Sequence, residues 1–344
     1  MDATTNERND TDQTPLEFGW FLPASEYLNH VARVADESGF EYMLIPVDRA
    51  CWEAYISGAF VAAQTQRIVP LIAARPGYIN PVLLAKMIAT FDQMSGGRIC
   101  VNLIAGQADE ELKAEGVTYD KAARYALMDE EVAIMKALWQ ASGPVTFEGR
   151  FHRLDGASIS PQPKACPKFY LGGGSENAWN LSAKHSDVHL FWGDLPERIE
   201  ANIADLKGRA KAHGREHELG FGMRLQIICR ETEAEARAAA DALIAHMPEA
   251  IRARLQARVA NSEANRRVQA LAAEKGLWIT PHLWSGLTRF RPGAGIAVVG
   301  DPQQCADTLQ QFIDVGCTSF CLSGYLHDEE AERFARWVRP LLVA

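Results

Sequence analysis

The feature that most constrains the fold of this chain is a regular alternation of short apolar segments with longer amphipathic ones. The apolar segments that we assign as strands are LEFGWFL, EYMLIP, RIVPLIAA, RICVNLI, KFYLGG, DVHLFWG, FGMRLQIICR and CTSFCLSGY. Apolar runs without polar alternation are typical of parallel strands that are buried on both faces. Eight such strands with helices between them predict a closed (β/α)8 barrel of the TIM type.

Helical periodicity fills the intervals between these strands. Leu28, Val31, Val34 and Ala35 recur at helical spacing and predict a helix over residues 26–38. Similar patterns predict helices over residues 53–65, 120–138, 176–184, 195–213, 231–246 and 328–342. An open doubly wound sheet is the alternative fold. The FLPASE that follows the first strand lacks the GxGxxG fingerprint that would favour it.

We expect one barrel domain over residues 15–344. Residues 1–14 are polar and lack an apolar core, so they are predicted to form a disordered tail. Residues 247–290 interrupt the alternation with an Arg- and Ala-rich stretch, which leads into RFRPGAG, where arginines lie beside glycines. The segment 247–295 is therefore predicted to be an insertion before the last strand, helical in part, that acts as a lid.

The charge balance and the cysteines limit the classes of partner. With 35 Lys and Arg against 44 Asp and Glu, the net charge of −9 argues against nucleic acid or an anionic membrane as the main partner. No apolar run reaches the length of about 18 residues that a membrane span needs. The seven cysteines include no CxxC pair, so a reducing cytoplasm is expected rather than a disulfide framework. We identify no cluster of metal ligands and expect no metal.

Several side chains with chemical potential lie at or near the ends of predicted strands or in the lid. The candidates for catalysis are Cys51, Trp192, Arg224, Gln226, Arg291 and Tyr325. Arg224 and Gln226 are two residues apart on one strand, so they share a face. Because barrels of this type carry their chemistry at the carboxyl ends of the strands, we expect these groups at one rim. Two guanidinium groups suit an oxyanion, which they bind through paired hydrogen bonds.

A second candidate site is the GGGS of residues 172–175, which opens a helix after a strand. Backbone amides at a helix N-terminus, together with a hydroxyl, can hold a phosphate. The alternative is an ordinary turn in which Ser175 caps the helix.

Each catalytic candidate also has a structural interpretation. Cys51 can be a buried filler, and Trp192 and Tyr325 can be packing residues. Arg224 can pair with a buried carboxylate, and Arg291 can be a solvated charge.

Motifs over most of the chain resemble the alkanesulfonate monooxygenases, a family of the bacterial luciferase-like flavin-dependent superfamily. The resemblance runs from about residue 18 to 341 and rests on these motifs: FGWFLP, YMLIP, LIAARPG, DQMSGGRICVNLIAG, YLGGGSENA, LFWGDLPE, FGMRLQIICRETEAEA, LWSGL, RPGAGIAVVGDP and LSGYLHDEEA. It implies a TIM-type barrel that receives reduced FMN from a separate NAD(P)H-dependent reductase. With O2, such an enzyme cleaves the C–S bond of a sulfonate to give an aldehyde and sulfite. It also implies a homodimer or homotetramer.

The resemblance also implies roles for individual residues. Cys51 matches a cysteine near the flavin, and Trp192, Arg224, Arg291 and Tyr325 match the substrate pocket. Arg291 would lie on a mobile loop that closes over the flavin and excludes water. The residues that match the flavin-binding positions are Asn102, Ala105 and Gly106 at the isoalloxazine edge and Tyr125, Gly174 and Ser175 at the phosphate.

Two departures from the family bear on the substrate. Position 226 is glutamine where the family has histidine, and glutamine cannot exchange protons near neutral pH. The first strand leads almost directly into a helix, without the long glycine-rich loop that caps the family's pocket. The alternatives are therefore the same flavin chemistry on a non-sulfonate substrate, a deazaflavin-dependent hydride transferase, and a non-catalytic flavin-binding subunit.

Overall fold

The computed structural model describes residues 14–23, 27–106, 109–245, 262–289 and 293–344. Its strands are β1 (Glu17–Phe21), β2 (Tyr42–Ile45), β3 (Val69–Ala74), β4 (Cys100–Leu103), β5 (Val145–Glu148), β6 (Arg153–Ala157), β7 (Phe169–Gly172), β8 (Val188–Trp192), β9 (Gly220–Cys229), β10 (Leu283–Trp284), β11 (Ala297–Gly300) and β12 (Ser319–Ser323). Its α-helices are α1 (Leu28–Glu37), α2 (Ala54–Gln64), α3 (Pro81–Ser95), α4 (Asp109–Ala114), α5 (Lys121–Gln140), α6 (Glu176–His185), α7 (Pro196–Lys211), α8 (Glu233–Ile244), α9 (Glu263–Lys275), α10 (Pro302–Asp314) and α11 (His327–Arg333).

Eight parallel strands close into a barrel in the order β1, β2, β3, β4, β7, β8, β9, β12 and back to β1. Closure depends on β9, which pairs with β8 over its first half and with β12 along the other edge. Each of these strands overlaps one of the eight apolar segments, so the predicted (β/α)8 fold is confirmed. The apolar runs become strands because helices cover their outer faces and side chains from the opposite strands cover their inner faces.

Large side chains fill the interior of the barrel. Tyr42, Leu71, Tyr170 and Leu190 belong to one buried inner cluster, and the Tyr42 hydroxyl lies 3.0 Å from Ser319 Oγ. Gly19 on β1 makes room for this layer, since a Cβ at that position would lie 2.0 Å from the Tyr42 ring. A filled interior leaves the strand ends and their loops as the place for a site.

The structure adds elements that the apolar pattern does not predict. β11 pairs with the second half of β9, with Ala297 opposite Gln226, beyond the point where β8 ends. β5 and β6 form an antiparallel hairpin over residues 145–157, where the apolar pattern predicts no strand. The predicted helix over 328–342 is shorter, because α11 ends at Arg333 and gives way to a π turn and a 3-10 turn.

The predicted lid is described only in part. α9 and the short strand β10 belong to it, and helix is therefore present as expected. Residues 246–261 and 290–292 lie outside the described residues, as does the predicted tail up to residue 13.

Across the described ranges, none of the helices combines the length and the apolar character that crossing a membrane requires.

Candidate active site

A cavity of about 350 Å³ opens among the loops that follow β2, β3, β4, β7 and β8. This volume is within the range of small-molecule sites, about 300–1,000 Å³. Nine of the predicted site residues line it: Cys51, Asn102, Ala105, Gly106, Tyr125, Gly174, Ser175, Trp192 and Arg224. Gln226 and Tyr325 are not among its lining residues, and Arg291 lies outside the described residues. One cavity therefore contains all six predicted flavin-binding residues and three of the six catalytic candidates.

The guanidinium of Arg224 is buried at one end of this cavity. Nη1 donates to the carbonyl of Leu225 at 2.7 Å, and Nη2 donates to Ser323 Oγ at 2.9 Å. The guanidinium carbon lies 5.0 Å from the centre of the Phe21 ring, which also lines the cavity. The two neutral oxygens and the aromatic ring together hold the guanidinium in a fixed orientation.

Gln226 reaches the cavity only indirectly. Its carbonyl oxygen accepts a hydrogen bond of 2.7 Å from Ser323 Oγ, and its amide donates to the carbonyl of Ala294 at 3.1 Å. Ala294 lines the cavity directly after the part of the lid that is not described. Gln226 thus connects the end of the lid to Arg224 through Ser323. Ser323 is not among the predicted residues, although its position opposite Gln226 follows from the pairing of β12 with β9.

Tyr325 packs away from the cavity, against an apolar cluster that includes Ile228 and Trp284. Its ring centre lies 6.3 Å from that of His327, and the His327 ring stacks on Phe21 at 6.1 Å. His327 is also absent from the predicted set. The signal for it was present in the sequence, since it follows the last barrel strand within LSGYLHDEEA.

Cys51 lies in the cavity wall after β2. Burial, reinforced by the nearby Asp48 carboxylate, raises the pKa of its thiol to about 11. The side chain is therefore a neutral thiol at physiological pH, and a neutral thiol is a poor nucleophile. This environment fits a residue that contacts a ligand better than one that attacks it.

Two arginines in the wall are neutralised by carboxylates. Arg75 lies 2.7 Å from Glu111 and 3.0 Å from Glu115. Arg124 lies 2.8 Å from Asp109, and its Nε donates to the carbonyl of Ala105 at 2.8 Å. Arg124 therefore fixes the backbone at a predicted flavin-contacting position. Neither arginine is among the predicted residues, although Arg75 belongs to the LIAARPG motif.

The GGGS segment also lines the cavity. Ser175 caps α6, and its Oγ accepts the N–H of Ala178 at 3.3 Å. Burial raises the pKa of the Tyr125 hydroxyl, and a hydrogen bond with Ser175 partly opposes the increase. Gly173 has a φ of +142°, and a Cβ there would lie 3.1 Å from Ala178 Cβ. Ser175 therefore caps the helix, as the alternative interpretation of this segment predicts, and it also lines the cavity beside Tyr125.

Two histidine pairs have a spacing of four residues that can place metal ligands together, 185 with 189 and 213 with 217. In the structure His185 Nε2 lies 2.6 Å from Asp129 Oδ1, whereas His189 Nδ1 lies 2.9 Å from Ser182 Oγ. Burial lowers the pKa of His189 to about 3, so it stays neutral. Within the described part of the chain, no group of three or more His, Cys, Asp or Glu side chains is arranged to hold a metal ion.

Comparisons with known proteins agree with this architecture. DmoA from Hyphomicrobium sulfonivorans is 17% identical, with 95% of this chain and 88% of that chain covered and a TM-score of 0.80. The EDTA monooxygenase EmoA from Chelativorans sp. BNC1 is 16% identical over 95% and 93% of the two chains, with a TM-score of 0.78. An F420-dependent secondary alcohol dehydrogenase, 18% identical over 96% and 100%, has a TM-score of 0.72. At these identities the likeness shows the fold.

The family itself follows from the sequence of the whole chain. The family model described as luciferase-like monooxygenase matches residues 3–319. The chain therefore belongs to the luciferase-like monooxygenases, the wider flavin-dependent group that includes the alkanesulfonate monooxygenases its motifs resemble.

Proposed function

We propose that this protein is a two-component monooxygenase that uses reduced FMN and O2 to cleave the C–S bond of a sulfonate or related organosulfur compound, giving an aldehyde and sulfite. The observation that carries the proposal is that the oriented Arg224 and the helix-capping Ser175 line the same cavity. An anionic substrate and a phosphorylated cofactor each need a polar end, and the apolar wall between them suits a flat ring.

The cavity residues fit a flavin. Gly106 has a φ of +88°, and a Cβ there would lie 2.6 Å from the Leu112 side chain, so the backbone itself forms the wall. In the proposal Asn102, Ala105 and Gly106 border the ring system, while Tyr125, Gly174 and Ser175 hold the phosphate. When bound, reduced FMN supplies the electrons that activate O2.

The protein side chains have separate tasks in the proposed reaction. Arg224 binds and orients the anionic group of the substrate, because Ser323 and the carbonyl of Leu225 hold its guanidinium in place. Trp192 and Cys51 supply contacts in the wall without changing charge. Arg291 adds a second positive charge when the lid closes and excludes water.

Gln226 and Tyr325 support this arrangement from behind the wall. Gln226 aligns Ser323 through the hydrogen bond that it accepts. Tyr325 remains a proposed hydrogen-bond donor to substrate, a role that requires its ring to leave the cluster around Ile228 when the lid closes.

The experiment combines the purified protein with FMN, NADH and a flavin reductase, and measures O2 uptake and sulfite release over a panel of alkyl and aryl sulfonates. We expect sulfite release that depends on both O2 and the reductase. Catalase is included so that hydrogen peroxide from wasted turnover does not oxidise the released sulfite to sulfate. Oxygenated products without sulfite would contradict the sulfonate proposal and leave monooxygenation. Binding of reduced FMN is measured anaerobically by quenching of tryptophan fluorescence. Failure to bind it would contradict both the sulfonate proposal and the monooxygenase proposal.

Two alternatives have specific support. The fold neighbour named as an F420-dependent alcohol dehydrogenase favours a deazaflavin-dependent hydride transferase, which would turn over anaerobically with reduced deazaflavin. The glutamine at position 226 favours flavin chemistry on a non-anionic substrate. In that case Arg224→Ala would spare turnover of the true substrate.

The partners follow from the same proposal. A separate NAD(P)H-dependent reductase supplies the reduced flavin, and the protein works in the cytoplasm, in keeping with its free cysteines. We also propose a homodimer or homotetramer. Helix α2 supports this, because AYISGAFVAAQ contains no charged residue and yet leaves Ile56 and Phe60 exposed.

A further inference from the structure

We propose that Lys121 is the counter-ion of the cofactor phosphate, and that it makes this site select a phosphorylated flavin over the same flavin without its phosphate. The inference rests on the proposed flavin function, and it concerns a residue for which the motifs imply no role. Lys121 lines the cavity at its GGGS end, together with Tyr125 and Ser175.

Three helices begin at this end of the cavity. α5 begins at Lys121, α6 follows the cap residue Ser175, and α9 follows the cap residue Ser262. All three residues line the cavity. At each N-terminus the cap side chain accepts one N–H, which at α5 is the Ala123 N–H bonded to the Asp120 carboxylate. The remaining N–H groups and the partial positive charge of the helix favour an anion. The convergence of three such termini on one cavity is the first observation.

The second observation is that Lys121 places a positive charge at a helix N-terminus, where the helix dipole disfavours a cation. It is the first residue of α5, so its ammonium group opposes the dipole of its own helix. Burial lowers its pKa, and the positive charges of Arg266 and Arg124 lower it further. Residues that break a local rule in this way are expected at functional sites.

The nearby carboxylates of Asp109 and Glu263 are paired with arginines and not with the Lys121 ammonium group. Asp109 forms its ion pair with Arg124 at 2.8 Å, and Glu263 forms ion pairs with Arg266 and with Arg267. Over the described ranges, Lys121 itself makes no hydrogen bond and no ion pair. In the same wall, Arg75 and Arg124 each have a carboxylate partner. Among the described residues Lys121 therefore has no carboxylate partner, and its ammonium group can pair with a bound anion.

A phosphate monoester has the chemistry that these groups require. Its dianion can accept hydrogen bonds from the Lys121 ammonium, the Tyr125 hydroxyl and the first N–H groups of α6. On the side of α9 the Arg267 side chain packs against this segment, since a Cβ at Gly174 would lie 3.1 Å from it. Trp179 supports the segment from below, donating to the carbonyl of Gly173 at 3.0 Å while Arg267 lies over its ring. The site therefore suits a terminal phosphate.

The test compares the binding of two reduced flavins, FMN and riboflavin, by anaerobic fluorescence titration of wild type and Lys121→Met. We expect the dissociation constant of reduced FMN to rise about ten- to a hundredfold, as for a lost charge-assisted hydrogen bond, while that of riboflavin changes less than about twofold. Lys121→Arg should recover most of the FMN affinity. Lys113→Met, at an exposed lysine of α4 outside the cavity wall, is the matched control and should change neither constant.

Inorganic phosphate tests whether the site recognises the phosphate group itself, either as the free anion or as part of FMN. In wild type it should compete with FMN and leave riboflavin binding unchanged, and the competition should disappear in Lys121→Met. Three results would each overturn the role of Lys121 and leave the proposed function standing. They are an equal loss of affinity for FMN and riboflavin in Lys121→Met, no change in either affinity, and phosphate competition that persists in Lys121→Met. If wild type binds neither reduced flavin, the proposed function fails as well. The apo variant should melt no lower than wild type, because the substitution removes an unpaired cation; a large drop would assign Lys121 a structural role instead.

Discussion

Arg224 and Gln226 share one hydroxyl group: Ser323 Oγ accepts a hydrogen bond from the Arg224 guanidinium at 2.9 Å and donates one to Gln226 at 2.7 Å. All three side chains are buried. The hydroxyl can make both bonds at once because it has one proton and two lone pairs. Gln226 therefore helps to fix the orientation of the Arg224 guanidinium through Ser323, a role that requires no proton exchange.

Removal of this hydroxyl should impair both orientation and stability. In Ser323→Ala the Gln226 oxygen loses a buried donor, and the unfolding free energy should fall by about 1–3 kcal/mol. We expect kcat/KM to fall about tenfold as well, because the guanidinium loses one of its anchors. Thermal melting and steady-state kinetics measure the two effects.

Ser319→Ala is the matched control for this variant. Ser319 is a buried serine of the same strand, and it bonds the Tyr42 hydroxyl instead. It should lose stability without a comparable loss in kcat/KM. Equal catalytic losses in both variants would remove Ser323 from the catalytic arrangement.

Arg224 should discriminate substrates by charge. Arg224→Lys keeps the positive charge but loses the planar fork, so kcat/KM for an anionic sulfonate should fall about ten- to a hundredfold. A neutral substrate analogue should be affected much less. The measurement is the ratio of kcat/KM for the two substrates, with reduced-flavin binding as a check that the site is intact. An equal loss for both substrates would mean that the arginine serves the flavin or the fold.

Cys51 should be dispensable for chemistry. Since burial raises the pKa of its thiol to about 11, the reactive thiolate is scarce at neutral pH. We expect Cys51→Ala to retain kcat within about threefold, whereas loss of a true nucleophile costs several orders of magnitude. Alkylation of the Cys51 thiol by iodoacetamide should speed up only as pH rises toward 11. Rapid alkylation at pH 7 would contradict this environment.

The sequence predicts the barrel better than it predicts the depth of the site. The spacing of Arg224 and Gln226 predicts that the two side chains share a face, and in the structure both bond Ser323 Oγ. The spacing does not reveal that Gln226 lies behind Ser323, because the distance of Gln226 from the cavity depends on how far β12 extends along β9. β11 is missed although its four residues are apolar and buried, because it pairs with the end of β9 that extends past β8, beside the closed barrel and not within it. Lys121 is missed because a lysine at a helix start is unremarkable until its neighbours are known.

A buried carboxyl outside the cavity should make stability depend on pH. Burial raises the pKa of Glu131 to about 7, while the N–H of Gly77, bonded at 2.9 Å, opposes the increase. The folded state therefore prefers the protonated acid. Its stabilising contribution is complete below the unfolded pKa of about 4.5 and is lost as pH rises through about 7.

Glu131→Gln should remove this dependence. We expect the variant to melt higher than wild type at pH 8, by the equivalent of about 1–3 kcal/mol, and to differ little at pH 5. His152 lies 3.6 Å away, and burial lowers its pKa, so its own contribution falls as pH decreases and has the opposite sign. Glu148→Gln, at an exposed carboxylate, is the control. A variant that melts lower than wild type at pH 8 would show that the charged form is the stabilising one.

The exposed side of α2 should determine the oligomeric state. Ile56 is 73% exposed and Phe60 48% exposed on a helix without charges, and Leu83 of α3 is exposed as well. Burying such side chains in a second copy removes apolar surface from water, at about 25 cal/mol per Å². A charge placed there opposes association, so Ile56→Glu should halve the mass of a dimer in light scattering and leave the melting of the separated protomer cooperative. Gln64→Glu adds the same charge at the polar end of the helix and should leave the mass unchanged. A wild-type protein that is monomeric at every concentration, or an Ile56→Glu variant of unchanged mass, would rule out this face as the interface.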